Sequence, residues 1–240
     1  MRNGLNGRKI VVMGGTSGIG LAAAQQLNEE GASVFVTGRN PDKIARVRHD
    51  NPTLKAESVD ASSAQALSSF YQSLGSFDDL VLCVSGGRGA GPFKTLDAAE
   101  VLGGLQDKFL AQFQAAQAAL PFLRKDGSLT FITAISARAA NPGTVGLAAI
   151  NGAIEAMVKP LAKELRPLRV NAISPGAVET HWWDKLPREI RESLLAQTAA
   201  ASMVGRNGTA EELGSAVVFI VANGFVTGTV LEVDGGLHLA

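Results

Sequence analysis

The chain reads Met13-Gly14-Gly15-Thr16-Ser17-Gly18-Ile19-Gly20 directly after its first apolar run, and a helical pattern follows. Glycines at 14, 18 and 20 allow a sharp turn and let a pyrophosphate approach the free N–H groups of a helix N-terminus. Thr16 and Ser17 add hydroxyl donors. The strand before the loop and the helix after it favour a nucleotide-binding loop over the alternative, an ordinary strand-to-helix turn.

Short apolar runs and helical patterns alternate along the rest of the chain. Strands are predicted at 10–13, 33–37, 80–84, 128–133, 169–173 and 230–233, with 54–59 as a weaker candidate. Helices are predicted at 19–30, 64–74, 105–123, 146–165 and 210–222. Strands that are apolar on both faces and separated by helices are typical of a parallel sheet covered on both sides. The sequence therefore predicts an α/β fold, a doubly wound Rossmann-type three-layer sandwich with a mainly parallel seven-stranded sheet.

The composition excludes several function classes. Of 240 residues, 22 are Lys or Arg and 22 are Asp or Glu, so the formal net charge is zero. That balance argues against a nucleic-acid binder with a broad basic surface. Hydrophobic residues make up 46% of the chain, which is enough for a sizeable core and excludes a disordered chain. Because no linker rich in Pro or Ser divides the sequence, we predict a single dinucleotide-binding domain over 1–240.

Cysteine content and the N-terminal stretch bear on the location of the protein. Cys83 is the only cysteine, so no internal disulfide can form, and this fits a reducing compartment. No apolar run approaches the ~18 residues of a membrane span. Residues 1–9 are polar and lead into a strand, which is not the pattern of a secretory signal. We therefore expect a cytoplasmic protein without a membrane partner, a nucleic-acid partner or a metal site.

The glycine loop resembles the Gly-x-x-x-Gly-x-Gly signature of the short-chain dehydrogenases/reductases. The resemblance runs from about Lys9 to Gly236 and includes Asp60 and three further segments. Asp60 stands where that family has an adenine-contacting Asp, and Val84-Ser85-Gly86 stands in place of its Asn-Ala-Gly. Asn171-Ala172-Ile173-Ser174-Pro175-Gly176 with Thr180 resembles its nicotinamide segment, and Val233-Asp234-Gly235-Gly236 resembles its C-terminal signature. The resemblance implies the family fold, a small-molecule substrate and a substrate lid around 177–205.

The resemblance implies a nicotinamide cofactor, and the residues at the end of the second strand predict whether it is NAD or NADP. A fold selective for NAD places a carboxylate there, whereas an arginine favours the 2′-phosphate of NADP. Gly38 stands at the position of the acid and Arg39 follows it, so we predict NADP(H). In the alternative, Arg39 only solvates the start of the next helix. The predicted cofactor contacts are Gly14, Thr16, Ser17, Gly18, Ile19, Gly20, Arg39, Asn40, Asp60, Ser85, Gly86, Asn151, Pro175, Gly176, Val178 and Thr180.

The catalytic positions depart from the pattern that the resemblance implies. In that family a Tyr exchanges the substrate proton, a Lys four residues later lowers its pKa, and a Ser orients the carbonyl. The aligned positions hold Leu147, Asn151 and Ala134. Ser136 lies two residues beyond Ala134 and would restore the serine after a register slip. The only tyrosine, Tyr71, lies on a predicted peripheral helix, so no slip restores the proton donor.

Three residues are candidates for the missing catalytic function. Lys108 replaces the fourth catalytic residue of the family, an Asn, and its burial would bring its pKa into acid–base range. In the alternative, Lys108 is exposed and pairs with Asp107 or water. Ser136, with Arg138, would bind an anionic or carbonyl substrate, or both are ordinary loop side chains. His181 in the lid is a natural proton shuttle near pH 7, or it is a surface histidine.

Three functions remain open at this point. The first is an NADP(H)-dependent oxidoreductase for a small carbonyl or alcohol substrate, with a proton donor unlike that of the family. The second is a non-catalytic NADP(H)-binding sensor or scaffold, and the third is an isomerase or lyase. The helix predicted at 146–165 is apolar on more than one face, which predicts a homo-oligomer, by resemblance a tetramer or a dimer. Pro160 should bend this helix.

Overall fold

The computed structural model describes residues 4–240 and contains a seven-stranded sheet. The strands run in the order β3-β2-β1-β4-β5-β6-β7, and every neighbouring pair is parallel. Their bounds are β1 Lys9–Met13, β2 Ser33–Gly38, β3 Lys55–Ser58, β4 Phe77–Leu82, β5 Leu123–Ile132, β6 Arg169–Pro175 and β7 Val230–Val233. The strand order reverses between β1 and β4, which is where open α/β sheets bind ligands.

Helices cover both faces of the sheet. Their bounds are α1 Gly18–Glu29, α2 Pro41–Asp50, α3 Ala64–Leu74, α4 Ala98–Gly104, α5 Ala111–Ala119, α6 Val145–Glu164, α7 Arg188–Ala201 and α8 Ala210–Ala222. One apolar core joins the sheet to α3, α5 and α6, and the other joins it to α1, α2 and α8. The predicted doubly wound three-layer sandwich is confirmed, and the described strands are all parallel rather than mainly so.

The predicted helix over 105–123 is wrong at both ends. The helical segment begins at Ala98, and Leu105–Leu110 forms a π-helical segment between α4 and α5. It ends at Ala119, because β5 already begins at Leu123. Three α-helices were missed, namely α2, α4 and α7. In α2 only Ile44 and Val47 are buried, and in α7 no residue is buried, so neither helix presents the apolar periodicity that sequence reading depends on.

Two features of the helical layers bear on function. The side chain of Tyr71 is fully buried on α3, and its hydroxyl donates to the Ala115 carbonyl at 3.1 Å. Burial raises the pKa of Tyr71, so this tyrosine belongs to the core rather than to a site. Helix α6 contains Pro160, the residue predicted to bend it.

Among the described helices, α6 alone is long and apolar enough to cross a membrane by length and composition, yet it packs on β6 within the sandwich.

Candidate functional site

The glycine loop is shaped by contacts that only glycine allows. Gly14 has a φ of +81°, and a Cβ there would lie 2.7 Å from the carbonyl carbon of Cys83. A Cβ on Gly20 would lie 2.4 Å from the Gly14 oxygen. The α1 helix begins immediately after Ser17, whose side chain makes no capping hydrogen bond. The loop therefore forms a narrow backbone cradle at a helix N-terminus, the arrangement that binds phosphate groups.

The end of β2 places Arg39 at the outer edge of this cradle. Arg39 is exposed, and a Cβ on Gly38 would lie 2.7 Å from the Thr16 side chain. An acidic residue at 38 would therefore displace Thr16 from the loop. Asn40 caps α2 by accepting a hydrogen bond from the Lys43 amide at 3.0 Å, so its side chain already has a structural role.

Asp60 follows β3, at the same edge of the parallel sheet as Arg39. Its carboxylate accepts hydrogen bonds from the amide and the hydroxyl of Ser62, at 2.9 Å and 2.7 Å. These bonds, assisted by the charge of Arg39, lower the pKa of Asp60 below its ordinary value. A fixed, ionised carboxylate near Arg39 suits recognition of the adenosine part of a dinucleotide.

The centre of the cleft lies over the ends of β4 and β5. Gly86 packs on the π-helical segment, where a Cβ would lie 2.9 Å from Cβ of Asp107. The side-chain amide of Gln112 donates to the Val84 carbonyl at 2.8 Å and to the Ile132 carbonyl at 3.1 Å. Ser85 donates only to the neighbouring Gly86 carbonyl, at 3.2 Å. These bonds fix the two strand ends below the predicted nicotinamide position.

The segment after β6 closes over the glycine loop. Pro175 is the last residue of β6, and Gly176 packs so closely on Asp234 that a Cβ would lie 2.7 Å away. Thr180 lies beside Gly18, with its side chain 3.4 Å from where a Cβ on Gly18 would be. The structure thus brings the predicted lid and the glycine loop together, although they are far apart in the sequence.

Asn151, predicted to stand at the position of the family lysine, forms a neutral hydrogen-bonded pair with Ser136. The Asn151 side-chain amide donates to Ser136 Oγ at 3.0 Å and to the Leu147 carbonyl at 2.9 Å. Both Ser136 and Asn151 are buried. The Asn151 Oδ1 atom is buried without a hydrogen-bond partner in the described part of the chain. A buried acceptor without a partner costs free energy of folding, so this oxygen is suited to accept a hydrogen bond from a hydroxyl group of a ligand.

Lys108 points into the protein, from the π-helical segment. The residue is 9% exposed, and its Nζ donates to the Thr133 carbonyl at 3.0 Å. Burial lowers the pKa of Lys108 to about 8, although the negative charge of Glu155 opposes this. Asp107 does not pair with Lys108, since it binds Arg88 at 3.0 Å. Of the two alternatives drawn from the sequence, the structure matches the inward one, and π-helical segments are frequent at functional sites.

Two other candidates are placed less favourably. The His181 side chain is 83% exposed and pairs with Asp184 at 2.9 Å, so the structure does not bring it into the cleft. Arg138 pairs with Glu155 and with Glu232, each at 2.9 Å. Its charge is therefore already balanced, and the predicted binding of an anionic substrate by Arg138 lacks support.

The lid begins with a 3-10 turn, His181–Lys185, which Thr180 caps, and continues into α7. The Trp182 indole N–H donates to the Gly86 carbonyl at 3.0 Å and fastens the lid across the cleft. The Trp183 indole N–H instead donates to Val178 at the base of the lid, at 2.8 Å. Lys185 lies over the Trp182 ring, with its Nζ 5.6 Å from the ring centroid.

Comparison with known proteins identifies the family. A family model described as enoyl-(acyl carrier protein) reductase matches residues 14–238. The chain belongs to the short-chain dehydrogenase/reductase family. It is 31% identical to the short-chain reductase protein NovJ of Streptomyces niveus, over 94% of this chain and 92% of NovJ. It is 29% identical to the 3-oxoacyl-[acyl-carrier-protein] reductase FabG of Thermotoga maritima, over 97% of this chain and 98% of FabG.

A solved structure of a small-chain dehydrogenase in complex with NADPH supports the same family. The two sequences are 31% identical. The match covers 98% of this chain and 100% of the dehydrogenase, with a TM-score of 0.85. Members of the family bind a nicotinamide cofactor, and two observations in this short-chain dehydrogenase/reductase fit one. The glycine cradle has no room for a Cβ at Gly14 or at Gly20, and Asn151 offers an unpaired buried acceptor. Residues 4–240 contain no group of three or more His, Cys, Asp or Glu residues placed to hold a metal ion.

Sequence reading of this short-chain dehydrogenase/reductase missed four functional neighbours. They are Gln112, Thr133, Glu155 and the indole N–H of Trp182. Gln112 lies one helical turn after Lys108 and Glu155 one turn after Asn151, so an i, i+4 search from the candidates would have found both. Nothing in the sequence indicates the contacts of Thr133 and Trp182, because their partners come from distant elements.

Proposed function

We propose that the chain is an NADP(H)-dependent oxidoreductase that acts on a small carbonyl or alcohol substrate and uses Lys108 as its proton donor. The observation that carries the proposal is the inward, buried ammonium of Lys108 beside the ends of β4 and β5. A pKa of about 8 lies near neutral pH, which is the range in which a general acid or base works best. Leu147, at the position of the family tyrosine, can neither donate nor accept a proton.

The cofactor, when bound, supplies or accepts a hydride at its nicotinamide ring. In the reductive direction the hydroxyl of Ser136, held by the amide of Asn151, binds the substrate oxygen. Lys108 stabilises the negative charge that develops on this oxygen and transfers a proton to it. The lid, fastened by Trp182, excludes water from the reacting atoms.

The preference for NADP(H) belongs to the same proposal. Arg39 is exposed at the end of β2, free to reach a 2′-phosphate, and Gly38 leaves no carboxylate for the ribose hydroxyls. The similar small-chain dehydrogenase in complex with NADPH supports this choice. Asp60, Thr180 and the glycine loop then contact the remaining parts of the cofactor, as the sequence predicts.

The decisive experiment replaces Lys108 by Met, which keeps the length of the side chain and removes its charge. We expect Lys108→Met to abolish NADPH oxidation with a panel of carbonyl substrates and to leave the Kd for NADPH within about threefold, under ~1 kcal/mol. Lys159→Met, at an exposed position of α6, is the matched control and should retain full activity. Unchanged turnover in Lys108→Met would refute the role of Lys108, and a loss of NADPH binding alone would make it a cofactor ligand.

A second candidate function is a non-catalytic NADP(H)-binding sensor or scaffold. It is favoured by Leu147, which leaves the position aligned with the family tyrosine without a group that can transfer a proton. This function predicts NADPH binding without oxidation by any carbonyl in the panel. An isomerase or lyase, the third possibility, would convert a substrate while leaving the absorbance of NADPH unchanged.

Homo-oligomerisation and a cytoplasmic location complete the proposal. Leu102, Phe113 and Val145, on the neighbouring helices α4, α5 and α6, are 56%, 38% and 47% exposed. Exposed apolar residues on neighbouring helices are typical of protein interfaces, which supports a tetramer or a dimer. Light scattering at micromolar concentration should report a mass above one chain, and a monomer would contradict this. A single cysteine fits a reducing compartment such as the cytoplasm.

A further inference from the structure

A carboxylate lies on the same face of α6 as Asn151, one helical turn further along. The side chain of Glu155 is only 10% exposed. Its Oε1 accepts a hydrogen bond from the Thr133 hydroxyl at 2.9 Å, and its Oε2 pairs with Arg138 at 2.9 Å. A carboxylate that is largely removed from water is stabilised by such hydrogen-bonding and charged partners, and Glu155 has two of them. The proposed function gives this carboxylate no role.

Thr133 links this carboxylate to the lysine of the site. Its carbonyl oxygen accepts the hydrogen bond from Lys108 Nζ at 3.0 Å, while its hydroxyl binds Glu155 and also the Ile173 carbonyl at 3.1 Å. Lys108 and Glu155 therefore lie on two sides of one residue. Within residues 4–240, Lys108 donates to this neutral carbonyl and makes no direct ion pair. Its charge then depends on the electrostatic potential of nearby groups rather than on one partner.

Charges of alternating sign continue outward from Glu155. Arg138 lies between Glu155 and Glu232, and His238 lies 3.4 Å from Glu232 and 2.7 Å from Asp234.

Three further groups lie around Lys108. The Cys83 thiol comes from the end of β4, and its pKa is raised to about 12 by burial, so it is neutral. Asp107 and Arg88 neutralise each other in an ion pair. Glu155 is thus the ionised group that acts directly on Lys108, and Arg138 acts on Glu155 as its ion-pair partner.

We propose that Glu155 is a positioning residue that holds Lys108 in its charged form, and that Arg138 opposes this effect. The inference rests on the proposed function for its consequence in catalysis, but its first test concerns the ammonium group alone. Removing Glu155 takes away the nearby negative charge, leaves Arg138 with Glu232 as its remaining ion-pair partner, and favours the neutral amine of Lys108. Removing Arg138 frees the negative charge of Glu155 and favours the ammonium. The two variants must therefore change the pKa of Lys108 in opposite directions. A purely structural role of the two residues would not require opposite changes.

The test is an NMR titration of the lysine side chains in the full-length protein, labelled at the lysine ε-carbons. The signal of Lys108 is assigned by its loss in Lys108→Arg. We expect Glu155→Gln to lower the pKa of Lys108 by about one unit, a tenfold change in the ratio of amine to ammonium, and Arg138→Gln to raise it by a similar amount. Glu164→Gln, an exposed position on the same helix, is the matched control and should leave the pKa unchanged.

Shifts of the same sign in both variants, or no shift in either, would overturn the inference. Should Glu155→Gln fail to fold, Thr133→Val removes the hydroxyl that holds Glu155 and keeps the carbonyl, and we expect a smaller shift of the pKa in the same downward direction. No shift in that variant would also overturn the inference. The pH profile of NADPH oxidation separates the two proposals. Opposite NMR shifts without a matching shift of the kinetic profile would retain the role of Glu155 and refute Lys108 as the proton donor.

Discussion

The two ends of the cleft are specified in different ways. At the cofactor end, Gly14 and Gly20 form a cradle whose shape comes from the backbone, so a local sequence pattern specifies it. At the substrate end, the chemistry comes from side chains of the π-helical segment, the β5 end and α6, joined by hydrogen bonds such as that of Lys108 to Thr133. The first end carries the glycine signature of the family, whereas for the second we predict a departure from the family's Ser, Tyr and Lys. Backbone geometry tolerates almost no change, whereas a proton donor can be replaced from another element.

The largest expected effect is at the cofactor end. Gly20→Ala would place a Cβ 2.4 Å from the Gly14 oxygen, so the loop must move and the cradle is lost. We expect NADPH affinity, measured by calorimetry, to fall by more than about 1,000-fold, or about 4 kcal/mol. Gly152→Ala is the control, because no atom lies within 4 Å of its Cβ position in α6. NADPH binding by Gly20→Ala with unchanged affinity would mean that the loop does not form the phosphate cradle.

The second prediction concerns the stability cost of the buried lysine at the substrate end. The pKa of Lys108 is about 8 in the folded protein against an ordinary 10.5, so the unfolded chain binds more protons between these two values. The free energy of unfolding should therefore rise with pH across this window, by about 3 kcal/mol more in the wild type than in Lys108→Met. Urea unfolding of both proteins at pH 7 and at pH 10.5 measures the difference. If the free energy of unfolding depended on pH equally in the two proteins, Lys108 would be in contact with solvent rather than buried.

The third prediction tests the choice of cofactor. Arg39→Ala removes the guanidinium group at the end of β2, and NADPH binding should weaken by about 1–3 kcal/mol. Binding of NADH, which lacks the 2′-phosphate, should change little, so the ratio of the two affinities measures the effect directly. Equal affinity of the wild type for NADH and NADPH would contradict the proposed NADP(H) preference.

The smallest expected effect lies where the lid joins the two ends. Trp182→Phe removes the N–H that donates to the Gly86 carbonyl and keeps an aromatic ring, so the lid should open more often. We expect NADPH to dissociate several-fold faster in stopped-flow measurements, in line with about 1 kcal/mol for one hydrogen bond. Trp183→Phe is the control, because its N–H binds Val178 within the base of the lid. A similar increase in both variants would show that lid packing in general, rather than the bond to Gly86, controls release.

Much of the fold could be read from the sequence because its signals are local. The predicted bounds of α3 and α8 agree with the structure, since their apolar residues recur at helical spacing beside one buried core. The capping of α2 by Asn40 and the start of this helix at Pro41 were equally local signals, yet the helix was missed, because only two of its residues are buried. The start of β5 at Leu123 was missed because pairing with β4, rather than its own composition, sets it.

By itself the sequence determined the parallel α/β sandwich and the glycine loop, and it predicted which residues stand at the catalytic positions. Only the tertiary structure decided that Lys108 points inward, that His181 faces solvent and that Arg138 is balanced by two carboxylates. The physical reason is the range of the interactions. Periodicity and backbone freedom act between residues that are near in the chain, whereas burial and ion pairing depend on packing of elements that are far apart in it.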